Sequence, residues 1–352
     1  MPPLHHRGQH ATFLYVRLLM FRYIEYLRSA GKPLGEYVQG RFFYGIKTGL
    51  NEAFVVDRAT RDRLVAEHTS STQVLKPFLR GRDVKRWRCE PEDLWLIFTR
   101  RGCDIKEYPA ILEHLKQFKK QLMPGVPGGR KPGSYEWYEI QDNVAYWQEF
   151  ETTKIAYPDI YEHQTFAWDD RGYYLGNTCY FIPTDQKWFV ALLNSPLVEW
   201  FYGNIANRIR GGYLRAFSQF MQQVPIPCAT PDQQRWCERL AEALIWLHNP
   251  GVTGERAPLS PMTAYFEQWI NGLVYELFLA DDLHARHLRL FDETAKLAPP
   301  DLSKLTERDK LSRLHEMFTR AYDLNAPLRA MLFSLTSLEP VRIIEGGSQP
   351  TA

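Results

Sequence analysis

A change of hydrophobic rhythm at Val224-Pro225-Ile226-Pro227 constrains the fold more than any other feature of this chain. Before it, apolar residues come in short mixed runs. Phe42 to Ile46, Ala53 to Val56, Leu94 to Phe98, Lys154 to Tyr157, Tyr173 to Leu175 and Thr178 to Ile182 are rich in aromatic and branched side chains and read as strands. Helix-like runs interleave at Ala110 to Leu122 and Lys187 to Tyr202, and Met123 to Gly133, dense in Pro, Gly and cations, reads as an exposed loop. After the change the pattern is helical. Gln233 to Leu247 shows 3.6-residue periodicity, Asn249 to Pro258 is turn-rich, and Ser260-Pro261 suits a helix cap and first turn. Phe266, Trp269, Ile270, Leu273, Val274 and Leu277 then fall on one helix face, and a further helix is expected from about Thr306 to Tyr322. Residues 13–30 predict an amphipathic helix stopped by Gly31 and Pro33. The expectation is an α+β chain: a linker helix in 1–34, small twisted mixed sheets in 35–230, and a helical support region in 231–352.

The formal charge of +2 hides an asymmetry, because residues 41–130 hold 18 Lys/Arg against 11 Asp/Glu. That excess coincides with Gly45-Ile46-Lys47-Thr48-Gly49-Leu50-Asn51-Glu52-Ala53-Phe54 and with Leu75-Lys76-Pro77-Phe78-Leu79-Arg80-Gly81-Arg82-Asp83-Val84-Lys85-Arg86-Trp87. Cations, small amides, hydroxyls and glycines in short runs make poor core and a good grip on a polyanion: Lys and Arg neutralise phosphates, and Thr and Asn hydrogen-bond phosphates or base edges. Lys47, Thr48, Asn51, Arg80, Arg82, Lys85 and Arg86 are the first candidates for DNA contact. Arg208, Arg210 and Tyr213, in a Gly-rich segment, and the loop cations Arg130 and Lys131 complete the set. Trp137, Tyr138, Tyr146 and Trp147 could stack on bases, but filling the core of small sheets is the plainer use of such rings.

These runs also resemble a known family. GIKTGLNEAF followed by LKPFLRGRDVKRW is similar to the target recognition domain of TaqI-like adenine-specific DNA methyltransferases and type IIG restriction-modification enzymes. The resemblance continues in order through Arg101-Gly102-Cys103-Asp104-Ile105, Tyr108-Pro109-Ala110-Ile111-Leu112, Trp137-Tyr138-Glu139-Ile140 and Lys154-Ile155-Ala156-Tyr157-Pro158-Asp159-Ile160. It extends through Leu192-Leu193-Asn194-Ser195, Arg210-Gly211-Gly212-Tyr213 and Val224-Pro225-Ile226-Pro227 to the helical end, covering roughly residues 28–350. It implies recognition of double-stranded DNA, largely from the major groove, within a restriction-modification or phage-defence system. It also implies a methyltransferase domain that is either supplied in trans, as a partner methyltransferase or nuclease polypeptide would be, or lost; the sequence leaves the two open. Which residues read bases stays open.

Catalytic residues are not expected. The family holds its flipped adenine with an Asn-Pro-Pro-aromatic motif, whereas the Pro-Pro pairs here are Pro2-Pro3 and Pro299-Pro300, with other neighbours. No Gly-x-Gly turn follows a plausible strand, so S-adenosylmethionine belongs to a catalytic domain rather than to this segment. Gly40 to Thr48 misses the phosphate-loop pattern because Ile46 separates Gly45 from Lys47. Three Asp-x-Lys tails (Asp83, Asp104, Asp185) are close to chance for this composition. His284 and His287 near Asp281 and Asp282 lack a third convergent metal ligand. Five scattered cysteines without a C-x-x-C pair point to a reducing cytoplasm. Ala11 to Leu27 is interrupted by Arg17, Arg22 and Glu25, which argues against a membrane span or signal peptide. Two rival readings remain: a stand-alone specificity subunit for a nuclease complex, and an enzyme whose site would show as perturbed carboxylates clustered in a closed pocket.

Overall fold

The computed structural model describes residues 18–206, 208–209, 211–249 and 260–346. Its contacts divide the described chain into two compact units: Arg41–Tyr161 with Thr165–Asp185, and the remainder, which takes Glu162–Gln164 and everything from Gln186 onward. The sequence pattern divides at 34 and 230, whereas the contacts place 186–230 with the helices. The cause is visible in Trp188–Leu193, buried at every position. A helix apolar all round needs neighbours all round, and it packs on Pro231–Leu247 and Ser260–Phe278.

The first unit holds the small mixed sheets. One runs in the order Phe43–Tyr44, Cys179–Pro183, Lys154–Pro158, Ala167–Asp169, Trp87–Arg88, antiparallel until the last pair, which is parallel. The other runs Tyr174–Leu175, Leu75–Leu79, Leu94–Ile97, Val55–Val56, with only its first pair parallel. Leu75–Leu79 is a strand that the sequence pattern hides, because Pro77 lacks the N–H a ladder needs. Pairing with Tyr174–Leu175 is confined to Phe78 and Leu79, so Pro77 meets a partner strand on one side only. Phe181 from the first sheet and Tyr174 from the second meet across Phe150, with ring centroids 4.6 and 5.1 Å from it. Tyr146, Trp147, Trp137 and Tyr138 pack half-buried against this core, the plainer of the two uses expected for them.

Local chemistry also redraws several expected elements. Asn51–Phe54 is a helical turn, leaving only Val55–Val56 as strand. Lys187 to Tyr202 is broken into Trp188–Leu193 and Pro196–Ile205. Pro196 cannot continue a helix, and the Ser195 hydroxyl caps the new one by accepting from Val198 N at 3.3 Å. Ala110 to Leu122 likewise splits into Pro109–Lys116 and Lys119–Leu122.

In the second unit a helix spans 18–29, while 13–17 of the predicted helix and most of the expected 249–258 linker lie outside the described residues. Gly31–Pro33 then pairs antiparallel with Pro225–Pro227, so the motif that marked the change of rhythm is itself a strand. Pro231–Leu247 opens with a capping box between Thr230 and Gln233. Ser260–Phe278 buries Phe266, Trp269, Ile270, Leu273 and Val274, and also Tyr275 and Glu276 off the predicted face; Leu277 is only half-buried. Its burial extends well beyond one stripe because it is the central helix of this unit, contacting the helices Leu290–Leu297, Glu307–Tyr322 and Pro327–Leu335. Among the described residues no helix is long and apolar enough to cross a membrane.

His114, on Pro109–Lys116, is buried and shares a hydrogen bond of 3.0 Å between its Nε2 and the Ala53 carbonyl. Burial holds its pKa below the usual 6.5. The unfolded chain therefore takes up a proton near pH 6.5 that the folded chain resists, so stability is full above that pH and falls as the pH drops below it. The slope contributed is at most about 1.4 kcal/mol per pH unit. Denaturant melts of wild type and His114→Gln between pH 7.5 and 5.5 should show a shallower decline for the variant; parallel declines would refute this account.

Candidate nucleic-acid interface

The G-I-K-T-G run is a turn fixed by close backbone approach. Gly45 N donates to the Cys179 carbonyl at 2.8 Å and Ile46 N to the Leu175 carbonyl at 2.7 Å. A Cβ on Gly45 would lie 1.9 Å from the Gly176 carbonyl oxygen, so only glycine fits. Lys47 N then donates to Asp142 Oδ2 at 2.9 Å, Asp142 N to the Lys47 carbonyl at 3.2 Å, and Gln141 N to the Thr48 carbonyl at 3.0 Å. The 47–49 turn is thus laced to 141–142. Burial raises the Asp142 pKa, against the lowering effect of the Lys47 N–H. Gly49 has φ +88°, and a side chain there would meet Arg130 and Gln141.

Within this turn the expected residues divide. Lys47 and Asn51 are exposed. Thr48 is buried, and its hydroxyl donates to Asn51 Oδ1 at 2.7 Å; it orients Asn51 and has no surface of its own to offer DNA.

Arg130 requires a larger correction. Expected as a loop cation reaching for phosphate, it is only 5% exposed. Its Nε donates to the Leu122 carbonyl at 2.9 Å, Nη1 to those of Thr48 (3.0 Å) and Glu139 (2.7 Å), and Nη2 to those of Trp137 (2.9 Å) and Glu136 (3.3 Å). The guanidinium fork ties together the end of Lys119–Leu122, the 47–49 turn and the 136–139 turn. Desolvation lowers its pKa to about 10, which still leaves it charged at neutral pH. The exposed neighbour Lys131 remains available to solvent.

The second basic run is partly neutralised from within. Arg80 forks onto Asp83 at 3.0 and 2.9 Å and also meets Glu92 at 2.5 Å. Asp83 is 2% exposed and also accepts from Arg80 N at 2.8 Å. These partners raise the Arg80 pKa, the Asp83 hydrogen bond most of all. Arg82 is exposed, 3.5 Å from Glu92; Lys85 is exposed; Arg86 lies over the Trp87 ring at 5.4 Å. Arg208 and Tyr213 belong to the other unit, where both are exposed and Arg208 Nη1 donates to the Gly212 carbonyl at 2.8 Å. Arg210 lies outside the described residues.

Sequence reasoning passed over Gln141 and Asn143, which flank the Asp142 laced to Lys47. Their side chains make no hydrogen bond among the described residues, and Asn143 is exposed. No charge run marked them. The remaining titratable clusters have structural explanations. Lys154 and Asp169, opposite each other on neighbouring strands, form a fully buried ion pair at 2.7 Å, with Asp169 also accepting from Arg171 N and Tyr173 N at 2.9 and 3.1 Å. His284 pairs with Glu276 at 2.8 Å. Among the described residues no His, Cys, Asp or Glu groups of three or more could hold a metal.

Residues 76–226 match the family described as the TaqI-like C-terminal specificity domain. The chain is similar to the type II methyltransferase M.PaeR7I of Pseudomonas aeruginosa, 23% identical over 218 residues, covering 60% of this chain and 37% of the relative. It is also similar to M.BanIII of Aneurinibacillus aneurinilyticus, 24% identical over 205 residues, covering 52% and 34%. The chain therefore spans about a third of the length of these curated relatives. Among solved structures it resembles the type IIL restriction-modification enzyme MmeI in complex with DNA, with a TM-score of 0.48, 16% identity, 80% of this chain and 36% of that one covered. The type IIG restriction endonuclease BpuSI gives a TM-score of 0.39 at 12% identity, covering 73% and 33%.

Replacing Arg130 strips donors from buried carbonyls, each worth about 1–3 kcal/mol when left unsatisfied. Arg130→Met should therefore lower stability by about 3 kcal/mol or more, a large loss for one residue. Arg130→Lys, with a compact ammonium instead of a fork, should recover only part of it. Urea melts of the two variants test this; a loss below about 1 kcal/mol for Arg130→Met would show that the carbonyls find other donors.

Proposed function

We propose that this protein is a double-stranded DNA recognition module of a restriction-modification system. The observation that carries the reading is the match of residues 76–226 to a specificity domain. The laced turn next to that segment supports it. Lys47 and Asn51, with Gln141 and Asn143 of the laced segment, offer the ammonium and carboxamide groups suited to donor and acceptor patterns in a major groove. Thr48, Gly49 and Arg130 hold that turn from behind, and a reading surface gains discrimination from being fixed before it binds.

In this reading the methyl transfer performed by the relatives, with its S-adenosylmethionine, belongs to a methyltransferase domain distinct from this module, supplied in trans or lost, acting on the DNA that the module selects. Among the described residues, the carboxyl groups with clearly raised pKa, Asp142 and Asp169, answer to burial and are engaged by separate backbone N–H groups.

Selection of the purified chain on random duplex DNA across a salt series tests the proposal. Enrichment of one short motif, reduced or altered by Asn51→Ala, is the expected outcome; a lost base contact costs about 1–3 kcal/mol at its position. Retention without any enriched motif would refute sequence recognition by this chain.

A further inference from the structure

We infer that Lys119, Lys120 and Lys131, with Lys47, form a phosphodiester-gripping face organised by Arg130, and that this face supplies more of the electrostatic hold on duplex DNA than the Arg80–Arg86 run. The inference rests on the DNA-recognition reading above, and it goes further by locating the phosphate contacts.

Three segments meet at the Arg130 guanidinium, and a lysine stands on or beside each. Lys119–Leu122 ends on the carbonyl that accepts from Arg130 Nε and carries Lys119 and Lys120. The 47–49 turn, held through the Thr48 carbonyl, carries Lys47. Lys131 follows Arg130 directly, and its own carbonyl accepts a hydrogen bond from the Tyr135 hydroxyl. All four lysines are exposed, and none makes an ion pair among the described residues. Lys119 lies over the Trp137 ring at 5.2 Å, which steadies its stem without neutralising it. Arg130 adds an inner charge, because its partners are carbonyl dipoles rather than a carboxylate. Two carboxylates of the neighbouring turns, Glu139 and Asp142, are turned to backbone N–H groups, while Glu52 and Glu136 stay exposed beside the lysines.

In the Arg80–Arg86 run Lys85 is as exposed as these lysines, but Arg80 and Arg82 already face carboxylates. Moving the Arg80 guanidinium onto a phosphate would strand Asp83, a 2% exposed carboxylate, without its bidentate partner. Removing one member of a buried pair leaves an uncompensated charge and is strongly unfavourable. Arg82 shares Glu92 with Arg80.

The test compares the full chain with a Lys119→Ala/Lys120→Ala/Lys131→Ala variant, the matching triple Lys→Arg variant, and Arg82→Ala/Lys85→Ala. Equilibrium binding to one duplex is measured over a salt series. Each lost phosphate contact should reduce the slope of log affinity against log salt by about 0.9. The triple alanine variant should thus lose about two to three units of slope, the arginine variant should keep it, and Arg82→Ala/Lys85→Ala should lose less than about one unit. Circular-dichroism melts should superimpose, since the replaced side chains are exposed. Salt-dependent binding by wild type with an unchanged slope in the triple alanine variant would overturn the inference while leaving DNA recognition standing. So would a larger loss in the Arg82/Lys85 variant. Wild type that fails to bind duplex in low salt would overturn both.

Discussion

The Arg130 guanidinium is the interaction on which the candidate interface depends. A turn such as 47–49 has backbone groups that a regular sheet would satisfy and a loop ordinarily gives to water. Here the Thr48 carbonyl points inward and meets both a charged donor and the Gln141 N–H. The same fork collects carbonyls from 122 and from 136–139, so one side chain substitutes for the ladder that these segments lack. Arginine alone among the side chains has enough donors in a rigid plane for this. Gly49 completes the arrangement, since a side chain at its position would meet the Arg130 stem.

Rings help to join the two small sheets. Phe150 sits between Phe181 and Tyr174, and Phe98 meets Tyr174 at 4.9 Å, so a few large side chains fill the gap between sheets too narrow to cover each other. Lys154 and Asp169 add a polar register mark to the same sheet. Slipping the strands by one residue would part the charges in a dry interior, so the pair disfavours alternative pairings more than it stabilises the native one.

Much of this was legible locally. Periodicity located Pro231–Leu247 and Glu307–Tyr322 within a few residues, and branched and aromatic runs located Lys154–Pro158 and Cys179–Pro183. The strand Leu75–Leu79 escaped because Pro77 suppresses the pattern, and only the sheet order shows that its missing N–H faces no second strand. Lys187 to Tyr202 read as one helix because apolar periodicity runs through Asn194-Ser195, and the cap that breaks it is a hydrogen bond rather than a pattern.

For the site itself, the order of its motifs by itself gave the resemblance to a specificity domain that the match over residues 76–226 repeats, and its charge distribution placed the basic excess in residues 41–130. Those properties belong to residue type and order. Tertiary structure decided which cations are available. Arg80 and Arg130 look alike in sequence to Lys85 and Lys131, one position away or a few. Yet Arg80 is paired with Asp83 and Arg130 is buried among carbonyls, whereas the lysines remain at the surface. A charge is counted along the chain, but its partner is chosen by packing, through carbonyls and carboxylates distant in sequence that no local pattern announces.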